Sequence, residues 1–340
     1  MSQAYPDGCS DTQLAIISGV YRGTIKKIRS GDKPVTYSRL DAVFSSLDLD
    51  LEECDYKNSE ETSKSIKPKN PQVSLPDAFG NQPVEKLETI KGALLKLNYS
   101  VQEPLFQDAV TQLKPAGAFL IHGKPDYGQR WLVNRLTYQV PYHTNAWRQS
   151  IYLKPHRKNI QYLWEDLARK VNSDPSPQAI AEGLYQYWQT QTVILALHDV
   201  DLIAGGGLQQ FLEQLWQPLV KLVKAAPTPE YSYRLLLFLV DNKNSKCKWN
   251  QKIPLATQLN PSQAQILDLQ ELEPFNQEMI KTWAGVQSSI FSTLWTGSES
   301  LEQVMGEIVL RDNQPISVLR DICQCFELDW YMDIEAKLAL

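Results

Sequence analysis

Gly123 and Gly128 stand with four residues between them, behind an apolar run, Ala118 to Ile121, and ahead of an amphipathic segment carrying Trp131, Leu132 and Leu136. A G-x-x-x-x-G turn between a strand and a helix is the spacing with which backbone N–H groups cradle phosphate oxygens. The chemistry then needs a Lys after the second glycine, whose charge reaches the β/γ-phosphates, and a Ser or Thr whose hydroxyl holds Mg²⁺. Those two positions are Gln129 and Arg130. Gln carries no fixed charge, and Arg repels a divalent cation. The outline of a phosphate loop is present without the groups that hydrolysis uses.

A second chemical position lies in Thr192 to Asp201, TVILALHDVD, an apolar run ending at Asp199. In an active nucleotide hydrolase that acid coordinates Mg²⁺ and a following acid activates water; here the following residue is Val200. Asp199 also suits a helix cap or a partner for Arg130, and with the loop lysine absent the structural role is the expected one. Arg234 to Asp241, followed by Asn242, stands where a sensor strand would; Asn there contacts phosphate or serves as a turn residue. His122, His143, His156 and His198 are dispersed without metal-ligand spacing, and no Ser sits in a G-x-S-x-G setting. The expectation is no catalytic residue, no metal and no cofactor, with Gly123, Gly128, Gln129, Arg130 and Asp199 as the remnant of a nucleotide site.

The elements that must position these residues alternate. Strands are expected at Ala118–His122, Ser150–Leu153, Val193–His198 and Arg234–Asp241, with a weaker one at Gln265–Leu269. Helices fit between them at Gln161–Val171, Pro177–Gln189 and Leu208–Lys224, and strands separated by helices of this length argue for a parallel sheet covered on both faces. Val84 to Leu113 has helical spacing, with Leu87, Ile90, Leu94, Leu95 and Leu97 on one side. From Pro274 to Leu340 the pattern is helical, with Gly297 and Pro315 as breaks. Trp131, Trp164, Trp188, Trp216 and Trp283 fall on apolar helical faces and read as core.

Ahead of this lies a basic helical block. From Ser10 to Leu51, a short helix with Leu14 and Ile17 inward meets a turn at Gly19, and a second helix runs from Tyr21 to Arg29 with Ile25 and Ile28 inward. That spacing turns Arg22, Lys26 and Lys27 outward. Gly31 ends the helix, and Leu40, Val43, Phe44 and Leu47 mark another. The block resembles the helix-turn-helix domain of the phage-repressor (Xre-like) class. The resemblance implies that Tyr21, Arg22 and Thr24 meet base edges while Lys26, Lys27 and Lys33 meet phosphates. A domain this small binds weakly alone, so specific recognition asks for a homodimer or a second contact.

Phe119 to Leu136, FLIHGKPDYGQRWLVNRL, together with Leu269–Trp283, LQELEPFNQEMIKTW, resembles the inactive STAND group over roughly residues 85–340. These P-loop proteins are related to bacterial signal-transduction NTPases, are common in multicellular and cyanobacterial lineages, and are linked to conflict or defence systems. Gln129-Arg130-Trp131 after the second glycine is the specific part, since it is not a generic phosphate loop. The resemblance implies loss of ATPase activity and a role in binding a protein partner.

The expected class is α/β: a P-loop NTPase-like parallel sheet flanked by helices, an N-terminal helix-turn-helix domain and a C-terminal helical subdomain. The boundaries are 1–56 for the helix-turn-helix, 57–83 for a polar linker without periodicity, 84–272 for the degenerate P-loop domain and 273–340 for the helical subdomain. The balance of 34 basic and 39 acidic residues rules out a global field drawing the chain to nucleic acid. The five scattered cysteines fit a reduced, cytoplasmic compartment. No apolar run approaches the roughly 18 residues of a membrane span, and Met1 to Ser10 is polar, so neither membrane anchoring nor a secretory leader is expected. The reading is a DNA-binding regulatory or defence-associated protein whose inactive domain senses or binds a partner. The alternatives are a protein-interaction adaptor that does not touch DNA and an ATPase with an unusual loop.

Overall fold

The computed structural model describes residues 22–30, 43–44, 82–97, 99, 101–156, 158–203, 206–227, 233–245, 253, 255–258, 265–291, 294–295, 299–338 and 340. The chain separates into two compact units, Met1–Ala78 and Phe79–Leu340. In the first, helix α1 spans Arg22–Ser30, with Ile25 buried, Ile28 half-buried and Lys26, Lys27 and Arg29 exposed. Val43 and Phe44 are helical and Val43 is buried. Tyr21, Lys33 and the expected helix through Leu14 and Ile17 lie outside the described residues, as do the side chains of Arg22 and Thr24.

The second unit is built on six parallel strands: β1 Ala116–His122, β2 Trp147–Tyr152, β3 Val193–His198, β4 Leu235–Asp241, β5 Leu255–Ala256 and β6 Ile266–Glu271. Their order across the sheet is β2-β3-β4-β1-β6-β5. All seven residues of β1 and of β4 are buried, as expected for central strands covered on both faces. Side chains alternate between those faces. Phe119, Ile121, Phe238 and Val240 point into one core, while Ala118, Leu120, Leu237 and Leu239 point into the other. This alternation lets one sheet serve two hydrophobic layers.

The first layer holds helices α2 (Gln82–Leu94), α3 (Gln102–Gln112) and α4 (Gln129–Thr137), joined by the C-terminal helices α9 (Gln277–Phe291), α10 (Leu301–Arg311) and α11 (Pro315–Cys325). The second holds α5 (Ile160–Val171), α6 (Pro177–Thr190), α7 (Gly207–Phe211) and α8 (Gln217–Ala225). Helices α5 and α6 begin at Asn159 and Ser176, whose side chains accept from the N–H groups of Gln161 and Ala179. The five tryptophans assigned to the core are all buried. Among the described residues no helix is long and apolar enough to cross a membrane.

Two expectations change in detail. The continuous helical pattern of Val84 to Leu113 is two helices, α2 and α3. The single helix expected at Leu208–Lys224 widens into a π turn at Leu212–Trp216, because Pro218 at the start of α8 has no N–H to donate to the turn before it. Pro315 marks the expected break in the C-terminal helices: α10 ends at Arg311 and Pro315 opens α11, where a fixed φ and a missing donor are tolerated. Gly297 lies outside the described residues.

A buried ion pair fastens α3 to α4. Arg135 donates to both carboxylate oxygens of Glu103, which also accepts from Tyr99 N–H at 2.9 Å and Gln139 Nε2 at 3.0 Å. With both side chains only 10% exposed, removal of either partner leaves an uncompensated buried charge.

Trp131 is 1% exposed, and its ring meets Trp330 edge-on at 5.2 Å between centroids. Trp131→Ala is expected to cost on the order of 3–5 kcal/mol, because it opens a cavity between α4 and the C-terminal segment. Chemical denaturation of both proteins checks this, and equal midpoints with equal slopes would contradict it.

Candidate functional site

Strand β1 lies between β4, which leads out to β3 and β2, and β6, which leads out to β5, so the strand order reverses at β1. The crevice at the C-terminal ends of the strands at such a point is where ligands bind in open α/β sheets. The loop from His122 to Gln129 borders it. Gly128 has φ +81°, and a Cβ there would lie 2.6 Å from the Tyr99 hydroxyl, so both backbone and space demand glycine. A Cβ on Gly123 would come within 3.0 Å of Leu272 Cβ.

Gln129, at the position of the phosphate-loop lysine, is 3% exposed, and its Nε2 donates to the Lys124 carbonyl at 2.7 Å. The side chain closes the loop from inside. At the mouth, Ile316 N–H donates to the Asp126 carbonyl at 3.1 Å and Pro315 Cβ lies 3.7 Å from the notional Cβ of Gly128. The start of α11 thus sits on the second glycine.

Arg130, at the position of the metal-binding hydroxyl, faces the C-terminal segment. Its guanidinium lies 3.8 Å from Glu335, 3.4 Å from the Leu340 main-chain oxygen and 5.3 Å from the centre of the Tyr152 ring. One turn on, the Asn134 carboxamide donates to the Leu340 oxygen and accepts from Leu340 N–H at 2.9 Å. Leu340 is 1% exposed. The helix that would carry phosphate chemistry therefore holds protein instead.

The strand ends are occupied in the same way. His122 meets Asp268 through Nε2 at 2.9 Å and Asn244 through Nδ1 at 3.0 Å. Asp241 accepts from the backbone N–H groups of Lys243 and Ser245. Asp199 is neither the helix cap nor the partner of Arg130 allowed by the sequence. It stands in left-handed conformation ahead of a 3-10 turn, Val200–Leu202, without a side-chain capping bond. Its carboxylate accepts from Asn242 Nδ2 at 2.8 Å, because the ends of β3 and β4 are neighbours whereas Arg130 is drawn to Glu335. Burial raises the Asp199 pKa, the Asn242 bond opposes the rise, and Asp201 adds to it. Asp201 itself is held by Lys243 at 3.1 Å. Among the described residues no group of three His, Cys, Asp or Glu side chains has the placement to hold a metal ion.

Spacing along the chain gave no hint of Asn134, Glu335 or Asp268, which reach the site only through the tertiary fold. Arg22, Thr24, Lys26 and Lys27 belong to the first unit.

Residues 94–241, from the end of α2 through β4, match the family model described as inactive STAND. No curated protein matches the sequence. Among solved structures, a Walker-type ATPase of Pyrococcus abyssi is similar at 11% identity and a TM-score of 0.34, over 75% of this chain and 74% of that one. The ORC2 protein of Aeropyrum pernix, solved in ADPNP–ADP complexes, is similar at 11% identity and a TM-score of 0.34, over 78% and 73%. Residues 94–241 of the second unit are thus similar to inactive STAND domains, on a parallel six-stranded sheet flanked by helices.

Asn134→Ala is expected to free the C-terminal segment, because it strands the main-chain groups of Leu340, at about 1–3 kcal/mol. Hydrogen exchange checks it: amides of Trp330–Ile334 lose protection while those of β1 and β4 keep theirs. Arg130→Ala has the smaller effect, since its ion pair is long and partly exposed.

Burial, reinforced by the Arg130 charge, lowers the His198 pKa from 6.5 to about 3. The unfolded chain binds more protons between those values, so stability present above the unfolded pKa is lost as pH falls toward the folded one. Between about pH 6 and pH 4 the parent should lose stability relative to His198→Gln by on the order of 1.4 kcal/mol per pH unit. A pH-independent difference between the two proteins would count against it.

Proposed function

We propose that this chain is a non-hydrolysing regulator, of the defence-associated kind that its family resemblance suggests, acting in the cytoplasm. Its N-terminal unit binds DNA, and its inactive STAND-like domain binds a protein partner. The observation that carries the non-hydrolytic part is the Gln129 carboxamide folded onto the Lys124 carbonyl inside the glycine loop. A site that stabilises a transferring phosphoryl group needs preorganised positive charge and a metal at that place. Gln129 supplies neither, and Arg130 is engaged with Glu335. What remains of the fold is a scaffold whose helices bind protein segments, with its own C-terminal segment as the example.

The DNA-binding part is supported by α1, on which Lys26 and Lys27 are exposed while Ile25 is buried. Tyr21, Arg22 and Thr24 are assigned to base edges, and Lys26, Lys27 and Lys33 to phosphates. A homodimer would supply the second contact that so small a reading head needs.

Full-length protein is titrated into duplex DNA at several salt concentrations, with sequences first selected from a random pool. Lys26→Ala and Lys27→Ala should each weaken binding to every duplex and lower the salt slope by about one. Arg22→Ala should relax sequence preference by about 1–3 kcal/mol. If no sequence is enriched and the double lysine variant binds as the parent does, the adaptor reading replaces this one. Steady Mg²⁺-dependent phosphate release that disappears in Asp199→Ala would remove the non-hydrolytic premise.

A further inference from the structure

Strand β2 is one edge of the sheet, and it pairs with β3 in an unbroken register from Trp147 to Tyr152. Trp147 N–H donates to the Thr192 carbonyl at 2.8 Å, and Leu153 N–H to the His198 carbonyl at 3.2 Å. In a parallel ladder alternate residues turn both backbone groups to the same neighbour, so Trp147, Gln149, Ile151 and Leu153 direct theirs to β3. Arg148, Ser150 and Tyr152 turn theirs away from it. Among the described residues those outward N–H and C=O groups have no partner. Arg148 and Ser150 are half-buried and Tyr152 is 42% exposed, so solvent reaches the edge.

A row of free N–H and C=O groups is a template for another strand, and sheets blunt such edges with short strands, bulges, proline or charge. The opposite edge follows that rule, since β5 is two residues long. Strand β2 does not. It runs for six residues, WRQSIY, without proline or bulge and with Arg148 as its one charge. Two of its outward residues are also held in place: Ser150 Oγ lies 3.2 Å from His198 Nε2, and the Tyr152 ring stacks on the His198 ring at 4.4 Å. A preorganised edge loses less freedom on pairing.

We propose that β2 pairs antiparallel with β2 of a second copy of this chain, about a twofold axis at Ser150, so that two sheets become one. In that register the strand is its own complement. Ser150 stands opposite Ser150, Arg148 opposite Tyr152 of the second copy, and Trp147 opposite its Leu153. All three outward residues then exchange both backbone bonds with the residue they face. A cation opposite an aromatic ring and an indole opposite a leucine are favourable cross-strand pairs. An axis at Arg148 would instead set two guanidinium groups face to face. The twofold also closes the assembly at two copies, which is the homodimer that the DNA-binding reading asks for. The pairing itself involves only the second unit.

The experiment is sedimentation equilibrium of the full chain without DNA, beside Ser150→Pro, Tyr152→Arg and the double variant Arg148→Glu/Tyr152→Arg. The parent is expected to form a reversible dimer with a Kd of about 10 µM or tighter. Ser150→Pro removes an N–H that points away from β3, so the chain keeps its own ladder and sediments as a monomer. Tyr152→Arg sets like charges opposite each other and should weaken the dimer at least about tenfold, and adding Arg148→Glu should restore it to within about threefold of the parent. Within one strand those two positions are about 13 Å apart, so recovery reports contact between copies. A parent that stays monomeric at about 100 µM overturns the proposal and leaves the edge to a strand from another protein. So does a dimer that tolerates both Ser150→Pro and Tyr152→Arg, or a double variant as weak as Tyr152→Arg alone. If Ser150→Pro does not fold, the Tyr152→Arg and double variants decide. A dimer with these responses that binds no DNA overturns only the DNA-binding reading.

Discussion

Strand β1 pairs with β4 on one side and β6 on the other, and the position of its last residue decides the rest of the second unit. His122 lies 2.9 Å from Asp268 within β6 and 3.0 Å from Asn244 just beyond β4. Three strands are thus tied through one imidazole, so the glycine loop leaves the sheet from a fixed point. The Leu272 N–H then reaches back to the His122 carbonyl at 2.9 Å, which carries the chain from β6 toward the C-terminal helices. The loop and those helices are anchored to the same residue, and this is why α11 comes to rest on the second glycine.

A nucleotide in a P-loop site does two structural jobs besides chemistry: it offers negative charge to the loop, and it gives neighbouring helices something to close on. Here protein groups supply both. Glu335 and the main-chain oxygen of Leu340 face Arg130, and Asn134 pairs with the Leu340 main chain in both directions. Trp330 packs against Trp131 beneath them. Burial holds the Glu335 pKa above its ordinary value, against the opposing pull of Arg130. The arrangement around α4 is therefore built from residues of the chain itself.

The polar groups of the second unit divide by how they are satisfied. Around the crevice each buried acid has a partner of its own: Asp199 has Asn242, Asp241 has two backbone N–H groups, and Asp268 has His122. The Glu103–Arg135 pair is enclosed by Tyr99 and Gln139 in the same manner. The satisfaction is incomplete in both places: Asp201 Oδ1 at the crevice, and Arg135 Nη1, Tyr99 Oη and Gln139 Oε1 around the ion pair, are buried without a hydrogen-bond partner among the described residues.

Strand and helix order was legible in the sequence because central strands buried on both faces read as unbroken apolar runs: LLLFLVD and VILALH carry no other signal. Val193–His198 was bounded to the residue, and Ala116–His122 within two residues at its start. The two-residue strand Leu255–Ala256 was too short to leave a pattern, and the π turn before Pro218 depends on how one missing N–H is absorbed. The loss of a fixed charge at Gln129 and of a hydroxyl at Arg130 was likewise plain from residue type alone. What took their place was not. Gln129 turning onto Lys124, Arg130 reaching Glu335, and Asn134 clasping Leu340 involve partners separated by 5, 205 and 206 positions. The sequence by itself determined which groups phosphate chemistry lacks, because that follows from the side chains present at a local turn. Only the tertiary structure decided what fills the vacant role, because long-range partners are selected by where the sheet and its two hydrophobic layers bring distant segments together.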